Sequence, residues 1–203
     1  MFNKKFFVLL TSIVLIFSCE FSSVFALNSE TPLFPGKYQN GVGNITIYID
    51  SSSGANYWET YIKTGANNWM YPGSGMSNPI YIKFVSSNYG SNMDFYSKKK
   101  TYWNSSIRDS ILAETQHFDN SENLVKNGER NWYYAKILIN DDKFRENSFT
   151  NEQAQGTIIH EMGHAFGLMH NNSNQNSIMC QTGYGRIVQR VQSVDNDAIN
   201  RKY

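Results

Sequence analysis

The sequence predicts an α+β domain, and three observations carry that expectation: a strand-like alternation near residue 45, an apolar helical stripe directly after it, and a capped helical stretch beginning at Thr150. Further strand-like runs lie between the two helices. The expected order is strand, helix, strands, helix.

Ile45, Ile47 and Ile49 alternate with Thr46 and Tyr48, the pattern of a strand with one buried face, and Asn40-Gly41 with Gly43 punctuates its start. Trp58, Tyr61, Ile62, Gly65, Ala66 and Trp69 then recur at helical spacing after Ser51-Ser52-Ser53, and Pro72-Gly73 stops the pattern. The stripe of Tyr57, Trp58, Tyr61 and Trp69 could form a carbohydrate or peptide platform, but aromatic residues at this spacing usually face a core, which is the expectation here. Ile80, Ile82 and Phe84 alternate with Tyr81, Lys83 and Val85, and Met93 to Tyr96 offers a short partner strand. Ala135 to Ile139 is almost continuously apolar, as in a central strand. Lys98-Lys99-Lys100 reads as a solvated loop.

The chain has 203 residues. Residues 1–26 read as an export signal: Lys4 and Lys5, an apolar run from Phe6 to Phe17, and Val24-Phe25-Ala26 as a cleavage site. That run is too short to span a bilayer core of roughly 30 Å, so no membrane span is expected. An alternative is a lipid anchor on Cys19, since Ile16-Phe17-Ser18-Cys19 loosely resembles a lipobox. Residues 27–203 show no repeat or linker and fit one domain, expected to be a secreted monomer. Charge is balanced, with 18 Lys and Arg against 17 Asp and Glu, which gives nucleic acid no basic field to bind. Of the two cysteines only Cys180 follows the signal, so an intramolecular disulfide and a four-cysteine zinc site are both excluded.

The chemistry concentrates in the second helix. Thr150-Asn151-Glu152-Gln153 has the form of a capping box, and Ile158, Ile159, Met162, Ala165 and Phe166 supply an apolar face. On the same helix His160 and His164 stand four residues apart, one turn above the other, close enough to share one zinc ion. A catalytic zinc takes three protein ligands, and His170 is the evident third. It lies too far along to share a straight helix face, but Gly167 can adopt the left-handed conformation that ends a helix and turns the chain back under the metal.

The string His160-Glu161-Met162-Gly163-His164-Ala165-Phe166-Gly167-Leu168-Met169-His170 resembles the extended signature of the metzincin metallopeptidases. Three His, one Glu and one Gly at these offsets should arise by chance on the order of 10⁻⁸ times per position. Ser177-Ile178-Met179 is similar to the family's Met-turn, and Ala135 to Asn140 resembles the strand before the active-site helix in small bacterial matrixin-like members. Asp195, Ala198, Ile199 and Tyr203 are spaced like the closing helix, where an aspartate bonds back toward the Met-turn. The resemblance runs from about residue 36 to the end.

The resemblance implies a twisted mixed β-sheet, an active-site helix, a Met-turn and a C-terminal helix. It implies an endopeptidase with one catalytic zinc on His160, His164 and His170, and with Glu161 as the base that activates water. Protein substrate would bind extended along an edge strand, for which Ile111 to Thr115 is the candidate, with a specificity wall between Gln181 and Arg190. His117 could touch substrate, though a packed or exposed role is the simpler expectation. Structural calcium is possible at Asp141-Asp142 or in the Asp119 to Glu122 loop.

Several features depart from the family pattern. His117 is the only histidine outside the catalytic string, so the second, structural zinc of vertebrate matrixins is not expected. Gln181 replaces the tyrosine that astacins and serralysins place after the methionine. No cysteine-bearing propeptide separates the signal from Tyr38, and one account of latency places Asn28 to Pro35 in the cleft with Glu30 as a temporary ligand. Two other readings stay open: a non-catalytic binding protein on this scaffold, and a zinc hydrolase of cell-wall peptides.

Overall fold

A computed structural model describes residues 30–146 and 149–203. The expected signal at 1–26 and Cys19 lie outside the described residues. Among them no helix is long and apolar enough to cross a membrane.

Six strands form one mixed sheet. They are β1 (Ile45–Ile49), β2 (Ile82–Val85), β3 (Met93–Lys98), β4 (Ala113–Phe118), β5 (Leu124–Val125) and β6 (Tyr134–Asn140), in spatial order β2-β1-β3-β6-β4-β5. The first four in that order run parallel, whereas β4 runs antiparallel to both β6 and β5. β6 lies between β3 and β4, and Ile137, Leu138, Ile139 and Asn140 are all buried, which explains its unbroken apolar run.

The helices are α1 (Glu59–Met70), α2 (Asp141–Glu146), α3 (Asn151–Ala165) and α4 (Ser193–Lys202). Trp58 and Trp69 of the aromatic stripe are buried and Tyr61 is half-buried against the core, whereas Tyr57 is exposed and lies under the Arg145 guanidinium. The Trp69 indole donates to the Ile159 carbonyl at 3.0 Å, fixing α1 against α3 at the level of the site. Of the lysine run, Lys99 and Lys100 pair with Asp142 and Glu146 at the surface.

Helix α3 is closed at both ends. The Thr150 hydroxyl accepts from the Gln153 amide while the Gln153 side chain accepts from the Thr150 amide, so the expected capping box is present. At the other end His117 meets the His164 carbonyl, Trp132 donates to Ala165 O, Tyr203 donates to Phe166 O, and the Leu168 amide donates to Gly163 O. The last carbonyls of the helix therefore find partners in four different parts of the chain.

Helix α4 is fixed by a buried carboxylate. Asp195 has no exposure, and it accepts from the Ile178 amide at 2.9 Å, the Gln192 amide at 3.2 Å, the Thr31 hydroxyl at 3.0 Å and the Ser177 hydroxyl. Asp195→Ala would strand these donors in the interior, at a cost of about 3 kcal/mol. For a chain of this size that lowers the thermal midpoint by roughly 10 °C. Calorimetry should show this drop, with a smaller one for Asp195→Asn.

Candidate active site

The three histidines of the expected ligand set converge. His160 Nε2 lies 3.1 Å from His164 Nε2, which lies 3.0 Å from His170 Nε2, and one donor atom from each fits within a 4.8 Å circle. The opposite ring nitrogens are occupied: His160 Nδ1 faces Ile178 O and His164 Nδ1 faces Leu168 O, each at 2.8 Å. A carbonyl can only accept, so each Nδ1 carries the proton and each Nε2 presents a lone pair. Burial holds the His160 imidazole well below its usual range and takes His164 and His170 down to about 4, so all three are neutral at physiological pH. This donor set fits zinc.

Two glycines make the convergence possible. Gly167 has φ of +94°, and its amide donates to His164 O as the chain reverses toward His170. Its missing side chain also leaves room for the Lys202 stem, which a Cβ would meet at 2.1 Å. Gly163 sits against the Met-turn, where a Cβ would lie 2.3 Å from Met179 Sδ. Met179 is fully buried, and its carbonyl accepts from the Asn171 amide at 2.9 Å, tying the turn to the segment that carries His170.

The histidines line a cavity of about 720 Å³ between β4 and the segment after the Met-turn. Glu161 also lines it. The Thr115 hydroxyl lies 2.7 Å from Glu161 Oε2 and 3.0 Å from Glu161 O, while the other carboxylate oxygen accepts no hydrogen bond among the described residues. Burial pushes this carboxyl up to about 7, against the opposing pull of the Thr115 hydroxyl.

Strand β4 begins two residues later than the Ile111 to Thr115 candidate, but it forms the cleft wall expected of it. Its partner β5 pairs only with His117 and Phe118, leaving Ala113 to Gln116 bonded to β6 on one side and open on the other. His117 is buried and packed at a tilt against Trp132, with ring centroids 4.0 Å apart, and meets the His164 carbonyl, so it supports the end of α3.

The N-terminal segment departs from expectation. Glu30 does not enter the cleft; it is exposed and pairs with Arg201 at 3.5 Å. The Phe34 amide donates to Gly167 O and Pro32 O accepts from the Met169 amide, so this stretch lies along the His170 turn. Of the described residues of this stretch, Phe34 alone lines the cavity. Of the acidic residues considered for calcium, Asp119 is bonded by backbone amides and Arg130, Asp141 by Arg145, and Asp142 by Lys99 and the Lys100 amide.

Thr115, Arg186 and Gly156 were not singled out from the sequence. The available signal was glycine inside α3: Gly156 and Gly163 each weaken a helix by about 1 kcal/mol relative to alanine unless a neighbour needs the space.

Three clustered neutral imidazoles beside a buried carboxylate, in a cleft with an open strand edge, are the arrangement of a metzincin-like zinc metalloendopeptidase. The sequence model of the matrixin family of peptidases matches residues 67–203, and the chain belongs to that family. No curated protein matches it. Among solved structures, a chain in the GM1-bound form of the ECX AB5 holotoxin aligns with TM-score 0.46 and 15% identity, covering 84% of this chain and 89% of that one. High choriolytic enzyme 1, a hatching enzyme zinc-protease from the medaka fish Oryzias latipes, aligns with TM-score 0.42 and 18% identity, covering 83% and 92%.

Thr115→Val should lower kcat about tenfold, the size of one hydrogen bond to a charged group, with little change in KM. Thr115→Ser should restore it. Steady-state cleavage of one peptide by the three proteins measures both effects.

Proposed function

We propose that the chain hydrolyses peptide bonds in extracellular proteins, with zinc on His160, His164 and His170 and with Glu161 as general base. The observation that supports it most is the convergence of three neutral imidazoles, two of them fixed with the Nε2 lone pair inward, beside the Glu161 carboxylate. Zinc, when bound there, supplies a Lewis acid that acidifies a water and polarises the scissile carbonyl.

The residues of the chain do the remaining work. The Ile178 and Leu168 carbonyls hold two imidazoles in the tautomer that ligation needs. Glu161 takes one proton from the attacking water as the new C–O bond forms, and returns it to the amine nitrogen as the C–N bond breaks. Thr115 keeps one carboxylate oxygen in place throughout. The open edge from Ala113 to Gln116 offers main-chain groups to an extended peptide, fixing one carbonyl over the site.

Residues 27–203, loaded with one equivalent of zinc, should cleave a denatured protein. Glu161→Ala should bind zinc normally and lose 10² to 10⁴-fold in kcat, on the order expected for a general base. A chelator should abolish cleavage and added zinc restore it, and His170→Ala should lose the metal itself. Zinc bound at full occupancy with no cleavage of any protein would instead favour a binding role for the scaffold.

Export follows from the Lys4 to Ala26 pattern. Expression of the full chain in a secreting host should give a medium form whose N-terminal sequence begins near Leu27. Retention in the membrane fraction through Cys19 would support lipidation in its place.

A further inference from the structure

The wall of the cleft after the Met-turn holds a cation with no counter-ion among the described residues. Arg186 lines the cavity and is only 8% exposed. Its guanidinium meets neutral acceptors alone, each at long range: Ile178 O, Cys180 O and Gln189 Oε1 at 3.4 Å and Thr157 Oγ1 at 3.5 Å. Its Nε has no partner. None of the ion pairs among the described residues includes Arg186. The carboxylates that it senses at greater distance are Glu161 and Asp195, and both are held by other donors.

A guanidinium taken out of water costs several kcal/mol unless an anion faces it. The fold nonetheless makes room for this one. Gly156 lies inside α3, where a Cβ would come 1.8 Å from Gln189 Oε1 and 3.1 Å from the Arg186 Nη2. A helix-interior glycine, disfavoured in itself, thus lets the Arg186 and Gln189 head groups settle against the helix that carries His160. Burial brings the guanidinium down to about 10, which leaves it charged at neutral pH.

We propose that Arg186 is a specificity-determining residue that receives the carboxylate of an aspartate or glutamate side chain beside the scissile bond. The inference rests on this cleft being the peptidase site. A planar fork with an unpaired nitrogen suits a carboxylate, and the pairing supplies the anion that the fold omits. The competing account is a brace: Arg186 Nη1 shares Ile178 O with His160 Nδ1 and could serve only to steady that carbonyl. A brace would affect all substrates alike, whereas a specificity residue separates acidic from neutral ones.

The test uses zinc-loaded protein and fluorogenic peptides that differ only in Glu or Gln, near-isosteres, at successive positions on either side of the cleaved bond. Wild type should prefer Glu at one position by tenfold or more in kcat/KM, as expected for a charge-assisted hydrogen bond in a desolvated site. In Arg186→Leu the ratio should fall to about one, with Arg186→Lys between. A ratio does not depend on the folded fraction, so a less stable variant still reports. As a second readout, the Glu161→Ala protein should bind the Glu peptide about tenfold more tightly than the Gln peptide. Equal cleavage of both peptides by wild type at every position, or a preference that survives in Arg186→Leu, would overturn the proposal. Cleavage of neither peptide at any position is a different failure, which removes the peptidase reading and this one together.

Discussion

The catalytic end of the molecule depends on one buried carboxylate. Asp195 accepts the Ile178 amide, and the carbonyl of that same residue accepts His160 Nδ1. The ring orientation of the first histidine is thereby set by a residue on the closing helix, through one residue of the Met-turn. Asp195 also takes the Thr31 hydroxyl, which brings the N-terminal segment onto the turn carrying His170. Three stretches distant in sequence meet at one side chain, and a fourth, the helix of His160, joins through the Ile178 carbonyl, so the metal centre is a tertiary product and not a property of its helix.

Electrostatics in the cleft follow from what is left unpaired. The imidazoles are neutral because burial disfavours their protonation, and two of them are fixed in tautomer by carbonyls. Burial raises the affinity of Glu161 for a proton and its single hydroxyl partner opposes this only in part, which suits the base role proposed for it. Arg186 is the opposite case, a charge that persists because guanidinium does not readily deprotonate. Structural anions such as Asp195 and Asp142 are saturated by donors, whereas the groups that face the cleft keep capacity for something else.

The sequence was most legible where local rules and tertiary structure agree. The alternation at Ile45, the capping box at Thr150, the apolar run from Ala135 and the glycine turn before His170 each depend on a few neighbouring residues, and each appears in the fold. Elements defined by partners were harder to read. β5 is two residues long and exists only through its pairing with β4, and α2 is a short turn held by Asp141 and Asp142. The register of β4 was displaced by two residues because Ile111 and Leu112 look strand-like yet precede the pairing with β6. For the site, helical periodicity fixes the geometry of His160 and His164, and the left-handed turn at Gly167 brings in His170. Thr115 and Arg186 reach it across long sequence separations that no local pattern records, and the docking of Thr31 to Phe34 depends on acceptors more than 130 residues away.

The unfinished edge of β4 bears on what the enzyme can attack. Under the proposed pairing of substrate with this edge, several residues of target must leave their own hydrogen bonds and straighten, whatever their side chains. A folded target concedes such a segment only by opening locally, and the free energy of opening enters the rate directly. Two proteins carrying the same cleavable sequence would then be consumed at very different speeds, one from a mobile loop and the other from a packed strand. Vulnerability in the surroundings of this chain becomes a map of where other proteins are least stable.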